Sequence, residues 1–292
     1  YSGVFQNRIG FGRKAAVIRA SVQSVSACAA RASSRAALSC RWRASRRSAS
    51  RDPGYADLSR RPLHILAFLS PLILAYEFGS LTYLLDRNGV GEVVAAQQLI
   101  ERVFNVFGAF GLYLPGLALV AVLLVWHALR RDPWTIHPRV LAGMLGESIL
   151  WTLPLLVLNG LTTAAVFAQT AFLPHDPWPW QAKLTIALGA GIYEELLFRM
   201  IAIAIVHLLV VDVLRQPDRA GRVIAAVASA VLFALYHDPV RAGGFQPGPF
   251  VVYFLSGLYF AGVYLLRGFG TVVAVHALYD VAVLLVLNPD AL

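Results

Sequence analysis

Two adjacent glutamates, Glu194 and Glu195, and one arginine, Arg199, interrupt a long apolar run between residues 184 and 211. Each charge at the centre of a bilayer costs about 2.5–3.5 kcal/mol on insertion scales, so three charges together need partners and a function. These residues are candidates for acid–base chemistry, and an ion-pair cluster that only holds helices together is the alternative.

Helical geometry predicts different roles for the two glutamates. Glu195 and Arg199 are spaced i, i+4 with the acid first, which is the favourable orientation for an ion pair. Glu194 is rotated by about 100° from Glu195 on a helix of 3.6 residues per turn, so it can face a cavity. A carboxylate that is free of a paired cation can act as a general base.

Two further pairs of residues follow on later apolar segments. Phe233 and His237 are spaced i, i+4 at the end of one segment, and His276 and Asp280 have the same spacing within another. Residues with this spacing share a helix face, and polar groups inside a membrane must find partners. Together with Glu194, these side chains could activate a water molecule.

The order and spacing of these residues resemble the three motifs of the CAAX protease and bacteriocin-processing family (CPBP, or Abi). The matching stretches are Glu194-Glu195-x-x-x-Arg199, Phe233-x-x-x-His237 and His276-x-x-x-Asp280. The family includes type II CAAX prenyl endopeptidases of the Ras-converting kind, and the resemblance covers residues 140–288. It implies a glutamic-type, metal-independent endopeptidase with its site in a cavity within the bilayer.

The resemblance also implies roles for individual residues. Glu194 is expected to activate water as the general base with the help of His237, while His276 and Asp280 stabilise the oxyanion. The expected supporting residues are Glu195, Arg199 and Phe233. Eukaryotic members often have Asn in place of Asp280, and an ionised carboxylate, unlike an amide, repels an oxyanion. Asp280 is therefore expected to be protonated, to orient His276 as an acceptor, or to reflect a different substrate.

A second mechanism uses the same side chains as metal ligands. Glu194, His237, His276 and Asp280 form a nitrogen and oxygen set that suits zinc with an open position for water. The chain has no His-Glu-x-x-His stretch, which disfavours zinc but leaves open a site assembled from separate helices. We expect no cofactor, with zinc as the alternative.

Membrane-spanning helices must position these residues. The 292-residue chain is 58% hydrophobic and 14% charged with a mean hydropathy of +0.64, whereas soluble domains are about a quarter charged. We predict an all-α polytopic membrane protein with about seven, between six and eight, transmembrane helices and its site in the C-terminal half. The candidate spans are 62–84, 109–129, 140–169, 183–211, 223–237, 250–266 and 270–288. The third and fourth are long enough to be tilted or broken, and the polar face of residues 93–107 predicts an interfacial or re-entrant helix.

Basic residues between the spans predict the orientation of the chain. Nine lie on one side and four on the other, so the positive-inside rule places the N-terminus in the cytoplasm. The nine are Arg60, Arg61, Arg130, Arg131, Arg139, Arg215, Arg219, Arg222 and Arg267, and the four are Arg87, Arg102, Lys183 and Arg241. In this topology Glu194 lies about 16 Å from the outer end of its span, and His276 lies about 9 Å from the inner end of its own. His237 lies at the outer end, so tilted or shifted helices must bring the three to one level.

We divide the chain into a basic tail (1–55), N-terminal membrane helices (56–139) and a CPBP-like catalytic core (140–292). Residues 1–51 carry eleven of the 25 basic side chains and no acidic one. The rest of the chain therefore has 14 basic and 16 acidic side chains, a net charge of −2. The membrane region is thus not expected to bind nucleic acid. The tail composition is typical of a transit peptide, a lipid-contacting arm or a disordered segment with a misassigned start. Both cysteines, Cys28 and Cys40, lie in the tail, so the membrane region has no thiol for catalysis or metal binding.

Other polar and small residues in the spans are expected to be structural. Glu77, Glu147 and His207 should form hydrogen bonds within the bundle, with substrate contact as the alternative for the two acids. His127 should anchor the interface, and the stretch Gly189-Ala190-Gly191 should allow close helix packing.

The functional prediction is an intramembrane endopeptidase of the bacterial cytoplasmic membrane that cleaves a membrane-associated peptide or protein, prenylated or not. Its expected partners are this substrate and membrane lipids, and no oligomeric state is predicted. A non-catalytic scaffold or immunity-type protein and a proton-coupled transporter are the alternatives from other classes. The lack of clear inverted repeats disfavours the transporter.

Overall fold

The structure is a computed structural model that describes residues 53–84, 94–106, 108, 113–166, 179–237, 240–241 and 244–287. Nearly all of the predicted basic tail, both cysteines and Arg87 lie outside these residues. The division of the chain into a tail, N-terminal helices and a catalytic core stays a prediction.

The described part of the chain folds into α-helices, several of which continue directly as π-helical segments. The helices are α1 Tyr55–Leu58, α2 Pro62–Gly79, α3 Ala95–Val106, α4 Leu114–Arg130, α5 Pro138–Val166, α6 Trp180–Glu194, α7 Ile203–His207, α8 Asp218–Tyr236, α9 Pro247–Arg267 and α10 Phe269–Val281. The π-helical segments are Ser80–Leu84 after α2, Glu195–Ala202 after α6, Leu208–Val213 after α7 and Ala282–Leu287 after α10. Two short antiparallel strands, β1 Val240–Arg241 and β2 Gly244–Phe245, pair between α8 and α9.

Six helices in the described residues are long and apolar enough to cross a membrane. They are Pro62–Leu84, Pro138–Leu161, Trp180–Val213, Asp218–Tyr236, Pro247–Arg267 and Phe269–Leu287. The second predicted span corresponds to α4, an apolar helix of only 17 residues. These helices confirm the predicted all-α polytopic membrane fold, while the orientation in the membrane stays a prediction.

Local sequence signals explain several helix boundaries. A proline stands in the first turn of α2, α4 and α9, where its missing N–H has no helical partner to lose. Gly268 separates α9 from α10 with a φ of 95°, a conformation that suits a residue without a Cβ. The two long predicted spans are not broken, because α5 runs through Pro154 and the fourth span passes through two π-helical segments.

The helix α10 lies at the centre of the bundle. Its residues from Phe269 to Ala277 are all buried, which is the pattern of a helix covered on every side. It packs between α5 and α6, while α8 packs along α9, and α2 contacts both α4 and α6. The predicted amphipathic helix is present as α3, which contacts α6. This packing brings α6, α8 and α10, the helices that carry the predicted site, together.

Close contact between α6 and α10 depends on Gly191, as predicted for the small-residue stretch. A Cβ atom on Gly191 would lie 2.8 Å from both the Cβ and the backbone nitrogen of Ala277. Real Cβ contacts are not that short, so a larger residue would push the two helices apart. Glu194 and His276 lie within one turn of this contact, and their separation therefore depends on it.

Candidate active site

Glu194 is the last residue of α6 and faces two imidazoles. Its side chain is buried, and its Oε2 atom lies 3.8 Å from Nε2 of His237 and 3.9 Å from Nε2 of His276. No hydrogen-bond partner for Oε2 occurs in the described part of the protein. The structure thus brings together the three groups that the helix lengths had placed at different depths.

Glu195 begins the π-helical segment and holds two partners at once. Its Oε2 atom lies 3.1 Å from Nε of Arg199, and both side chains are fully buried, so the predicted ion pair is present. Its Oε1 atom accepts a hydrogen bond of 2.7 Å from Nδ1 of His276. One carboxylate therefore links the π-helical segment after α6 to α10.

Phe233 and its aromatic neighbours enclose the buried arginine. The guanidinium carbon of Arg199 lies 4.2 Å from the ring centroid of Phe233 and 5.1 Å from that of Phe260. An Nη2–H of Arg199 points to the carbonyl oxygen of Gly257 on α9 at 3.4 Å. Cation–π contacts of this kind stabilise a charge that water does not reach. The supporting role of Phe233 stays a prediction.

His237 follows the last residue of its span, and two contacts fix its ring. Its Nδ1 atom donates to the carbonyl oxygen of Phe233 at 2.8 Å, and the ring of Tyr253 stacks on it at 4.0 Å between centroids. Burial lowers the pKa of the His237 imidazole to about 4, so the ring is neutral at neutral pH. With its proton on Nδ1, the neutral ring presents a lone pair on Nε2 towards Glu194.

Asp280 lies on the same face of α10 as His276, as its spacing predicted. Its Oδ2 atom is 3.5 Å from Nε2 of His276, the nitrogen that also faces Glu194. Because Glu195 holds the other nitrogen, Glu195 determines the orientation of the His276 ring. Asp280 was one candidate for this role on sequence grounds, since helical spacing shows only the local partner of a side chain.

The polar residues outside the motifs make structural contacts. Glu77 accepts a hydrogen bond from Tyr193, and Glu147 accepts hydrogen bonds from Tyr55 and Arg267. Nε2 of His207 lies 3.0 Å from Oδ1 of Asp218, within hydrogen-bond distance. The ring of His127 packs edge-on against the ring of Trp134, with 4.3 Å between their centroids. The expected hydrogen bonds of both acids and of His207 are thus present.

The zinc alternative requires a compact set of ligands. In the residues that the structure describes, no group of three or more His, Cys, Asp and Glu side chains has an arrangement that could hold a metal ion. Ligand atoms about 2 Å from a tetrahedral zinc ion lie about 3.3 Å from one another. The distances from Glu194 to the two histidines, 3.8 and 3.9 Å, are slightly longer than this. Metal dependence stays a matter for experiment.

Comparison with known proteins agrees with the motifs. The family model described as type II CAAX prenyl endopeptidase Rce1-like matches residues 176–282. The match is shorter than the expected 140–288, since it begins just before α6 and excludes α5. No curated protein and no solved structure gave a match to the chain. The segment 176–282 contains all seven predicted site residues, and its similarity to the Rce1-like family implies a peptidase.

Proposed function

We propose that this chain is an intramembrane endopeptidase that hydrolyses a peptide bond of a membrane-associated, prenylated peptide or protein. The observation that carries the proposal is the arrangement around Oε2 of Glu194. This buried oxygen has no protein hydrogen-bond partner among the described residues and faces two imidazole nitrogens at 3.8 and 3.9 Å. The prenylated substrate class follows from the Rce1-like match and not from this geometry.

The gap between Glu194 and His237 suits a water molecule. A separation of 3.8 Å is too long for a direct hydrogen bond, and polar atoms at such distances are commonly bridged by water. A water between them would donate one hydrogen to the Glu194 carboxylate and the other to the Nε2 lone pair of His237. Its own lone pairs would then be free to attack a carbonyl carbon.

Hydrolysis then follows from general acid–base chemistry. As the water oxygen bonds to the scissile carbonyl carbon, its proton passes to Glu194, and the carbonyl π electrons move to the oxygen as an oxyanion. When the oxyanion collapses, the carbon–nitrogen bond breaks, and Glu194 returns the proton to the leaving amine. The glutamate ends the cycle as a carboxylate, with no other reactant consumed.

His276 is the group that we assign to the oxyanion. Its Nδ1 hydrogen is held by Glu195, and its Nε2 atom faces the same space as Glu194 Oε2. A proton on Nε2 would make it a charged donor to the oxyanion, which is the strongest kind of hydrogen-bond donor. Asp280, 3.5 Å from Nε2, would accept this hydrogen before the substrate arrives.

The test is peptide cleavage by the purified protein in proteoliposomes. The probe is a quenched fluorogenic peptide that ends in a farnesylated cysteine and three further residues. Glu194→Gln keeps the shape of the side chain but removes the base, so we expect cleavage to fall by about 10²–10⁴-fold. The matched control is Glu77→Gln, which leaves an amide oxygen to accept the Tyr193 hydrogen bond and should retain activity.

Three outcomes would contradict this function or its metal-free mechanism. Equal cleavage by the wild type and by Glu194→Gln would remove Glu194 from the mechanism, and a cellular effect that survives this substitution would favour a scaffold. Cleavage that stops with a chelator and returns with zinc would instead assign Glu194, His237, His276 and Asp280 as metal ligands. We expect full activity in excess chelator and no stoichiometric metal by elemental analysis.

A further inference from the structure

We propose that a groove between α8 and α9 binds an anionic phospholipid, with its phosphate held by Arg219 and Arg222 and an acyl chain against the apolar wall. None of the residues that line this groove belongs to the predicted active site. Binding there does not depend on the proposed peptidase function, and it can be measured without a cleavage assay.

The groove has the size and the composition of a ligand site. Its volume is about 390 Å³, within the range of about 300–1,000 Å³ that is usual for small-molecule sites. The polar side chains that line it are those of Arg219 and Arg222. Its apolar wall is formed by Val223, Ala226, Val227, Leu258, Leu265 and Leu266. A cationic end and an apolar wall together suit an amphiphile with a negative head group.

The apolar wall lies on the outer surface of the bundle. Both α8 and α9 are long and apolar enough to cross a membrane, and Val223, Val227 and Leu266 are exposed on them. Lipid tails are as apolar as a leucine side chain, so an acyl chain packs against such a wall at no cost in desolvation.

The inner end of the groove is closed by a tight contact between the two helices. A Cβ atom on Gly257 would lie 3.0 Å from the Cα atom of Ala230. The groove begins within one turn of this contact, because Val227 precedes Ala230 by three residues and Leu258 directly follows Gly257. An acyl chain in the groove would therefore contact both helices at once.

The two arginines are available to a phosphate. Both lie in the first two turns of α8. Nη2 of Arg222 lies 3.3 Å from Oδ2 of Asp218, and both side chains of this pair are partly exposed. Arg219 is exposed and makes no ion pair in the part of the chain that the structure describes. Two guanidinium groups against one carboxylate leave a net positive charge, and guanidinium groups bind phosphate through charge-assisted hydrogen bonds.

The groove opens at the end of the bundle that the basic residues predict to be cytoplasmic. Two other arginines at this end have protein partners, because Arg60 donates to the carbonyl oxygen of Leu266 and Arg267 donates to the carboxylate of Glu147. The cations that face the groove are Arg219 and Arg222. Anionic lipids are abundant in the cytoplasmic leaflet, and basic pockets between membrane helices on this side bind their head groups.

The test is thermal unfolding of the purified protein in detergent micelles to which one lipid is added. The probe is dioleoyl phosphatidylglycerol, and the comparison is dioleoyl phosphatidylcholine, which has the same chains and no net charge. A lipid that binds only the folded state raises the melting temperature by mass action. We expect a rise of about 5–10 °C with phosphatidylglycerol at about 100 times its Kd. Phosphatidylcholine should cause a rise of less than about 2 °C.

Two variants divide the site into its charged and apolar parts. Arg219→Gln combined with Arg222→Gln should lose most of the rise, because the phosphate loses its charged donors. Val227→Trp should also lose it, because the larger side chain fills the groove while both arginines remain. The matched control is Arg139→Gln, since Arg139 is the exposed second residue of α5 as Arg219 is of α8, but does not line the groove. It should keep the full rise.

Several outcomes would overturn the proposal. An equal rise with both lipids, or a full rise in the double glutamine variant, would remove the arginines from the binding. An equal rise with glycerol phosphate alone would assign them to a free phosphate, and an equal rise with farnesol would assign the groove to a prenyl chain. If the double variant does not fold, Arg219→Gln alone, at an exposed position, should raise the Kd for phosphatidylglycerol about tenfold, and an unchanged Kd would overturn the proposal as well.

Discussion

The buried ion pair between Glu195 and Arg199 allows a quantitative test of what holds the site together. Replacing Arg199 with methionine keeps a long apolar side chain but removes the cation. Glu195 would keep its hydrogen bond to His276 and lose the partner that lies 3.1 Å from its other oxygen. The substitution also removes the contact of 4.2 Å between the guanidinium group and the ring of Phe233.

The expected loss of stability follows from the burial of both charges. Glu195 and Arg199 are fully buried, and breaking such a pair from one side costs about 3–5 kcal/mol because the remaining charge is left without a partner. The lost cation–π contact adds about 0.5–2 kcal/mol. We therefore expect Arg199→Met to lower the free energy of unfolding by about 3.5–7 kcal/mol.

Unfolding of the purified protein in mixed micelles with increasing dodecyl sulfate measures this free energy. The control is the double variant Glu195→Gln with Arg199→Met, in which no charge is left unpaired and the amide oxygen can still accept from His276. It should be more stable than Arg199→Met alone, although it carries one more substitution. A loss below about 1 kcal/mol for Arg199→Met, or a double variant less stable than the single one, would refute the reasoning.

Two further predictions concern packing and pH. Gly191→Ala should lower both the melting temperature and the cleavage activity, because the new Cβ would lie 2.8 Å from the backbone of Ala277 and would move Glu194 away from α10. The control is Gly262→Ala, since no atom lies within 4 Å of a Cβ at that position. It should leave activity unchanged and should be neutral or raise stability by about 0.5–1 kcal/mol. Burial and the hydrogen bond to Glu147 raise the pKa of Tyr55 to about 12, above the value of about 10 for an unfolded chain. The stability that this contact contributes should therefore be complete below pH 10 and be lost as the pH rises through 12. The melting temperature should then decrease more steeply with rising pH in the wild type than in Tyr55→Phe. Equal slopes for the two proteins, or equal melting temperatures for the two alanine variants, would contradict these expectations.

The helices were predictable because hydrophobicity in a membrane is a strong and local signal. An unbroken run of about 20 apolar residues is rare outside membrane helices, and the polar face of 93–107 was sufficient to predict α3. The hairpin of β1 and β2 was not predicted, because strands of two residues carry no measurable periodicity. The π-helical segments were also not predictable, since their sequences have no distinct composition.

The local part of the site was predictable, and the contacts between helices were not. The pair of Glu195 and Arg199 follows from i, i+4 spacing. The bond between Glu195 and His276 joins residues 81 positions apart and depends on how α6 and α10 pack. The sequence placed Glu194, His237 and His276 at different depths in the membrane because it could not show how the helices are shifted along one another. The span that carries Glu194, Trp180–Val213, has 34 residues, about 51 Å of helix, so its start need not be level with the end of α8.

The bond between Glu195 and His276 has a consequence for the biosynthesis of the protein. His276 follows Glu194 and His237 in the chain, so a nascent chain carries Glu194 and His237 into the membrane before the ring that completes the site. Until α10 inserts between α5 and α6, the carboxylates of Glu194 and Glu195 have no imidazole from that helix beside them. If the proposed function is correct, we expect the growing chain to be inactive until α10 is in place.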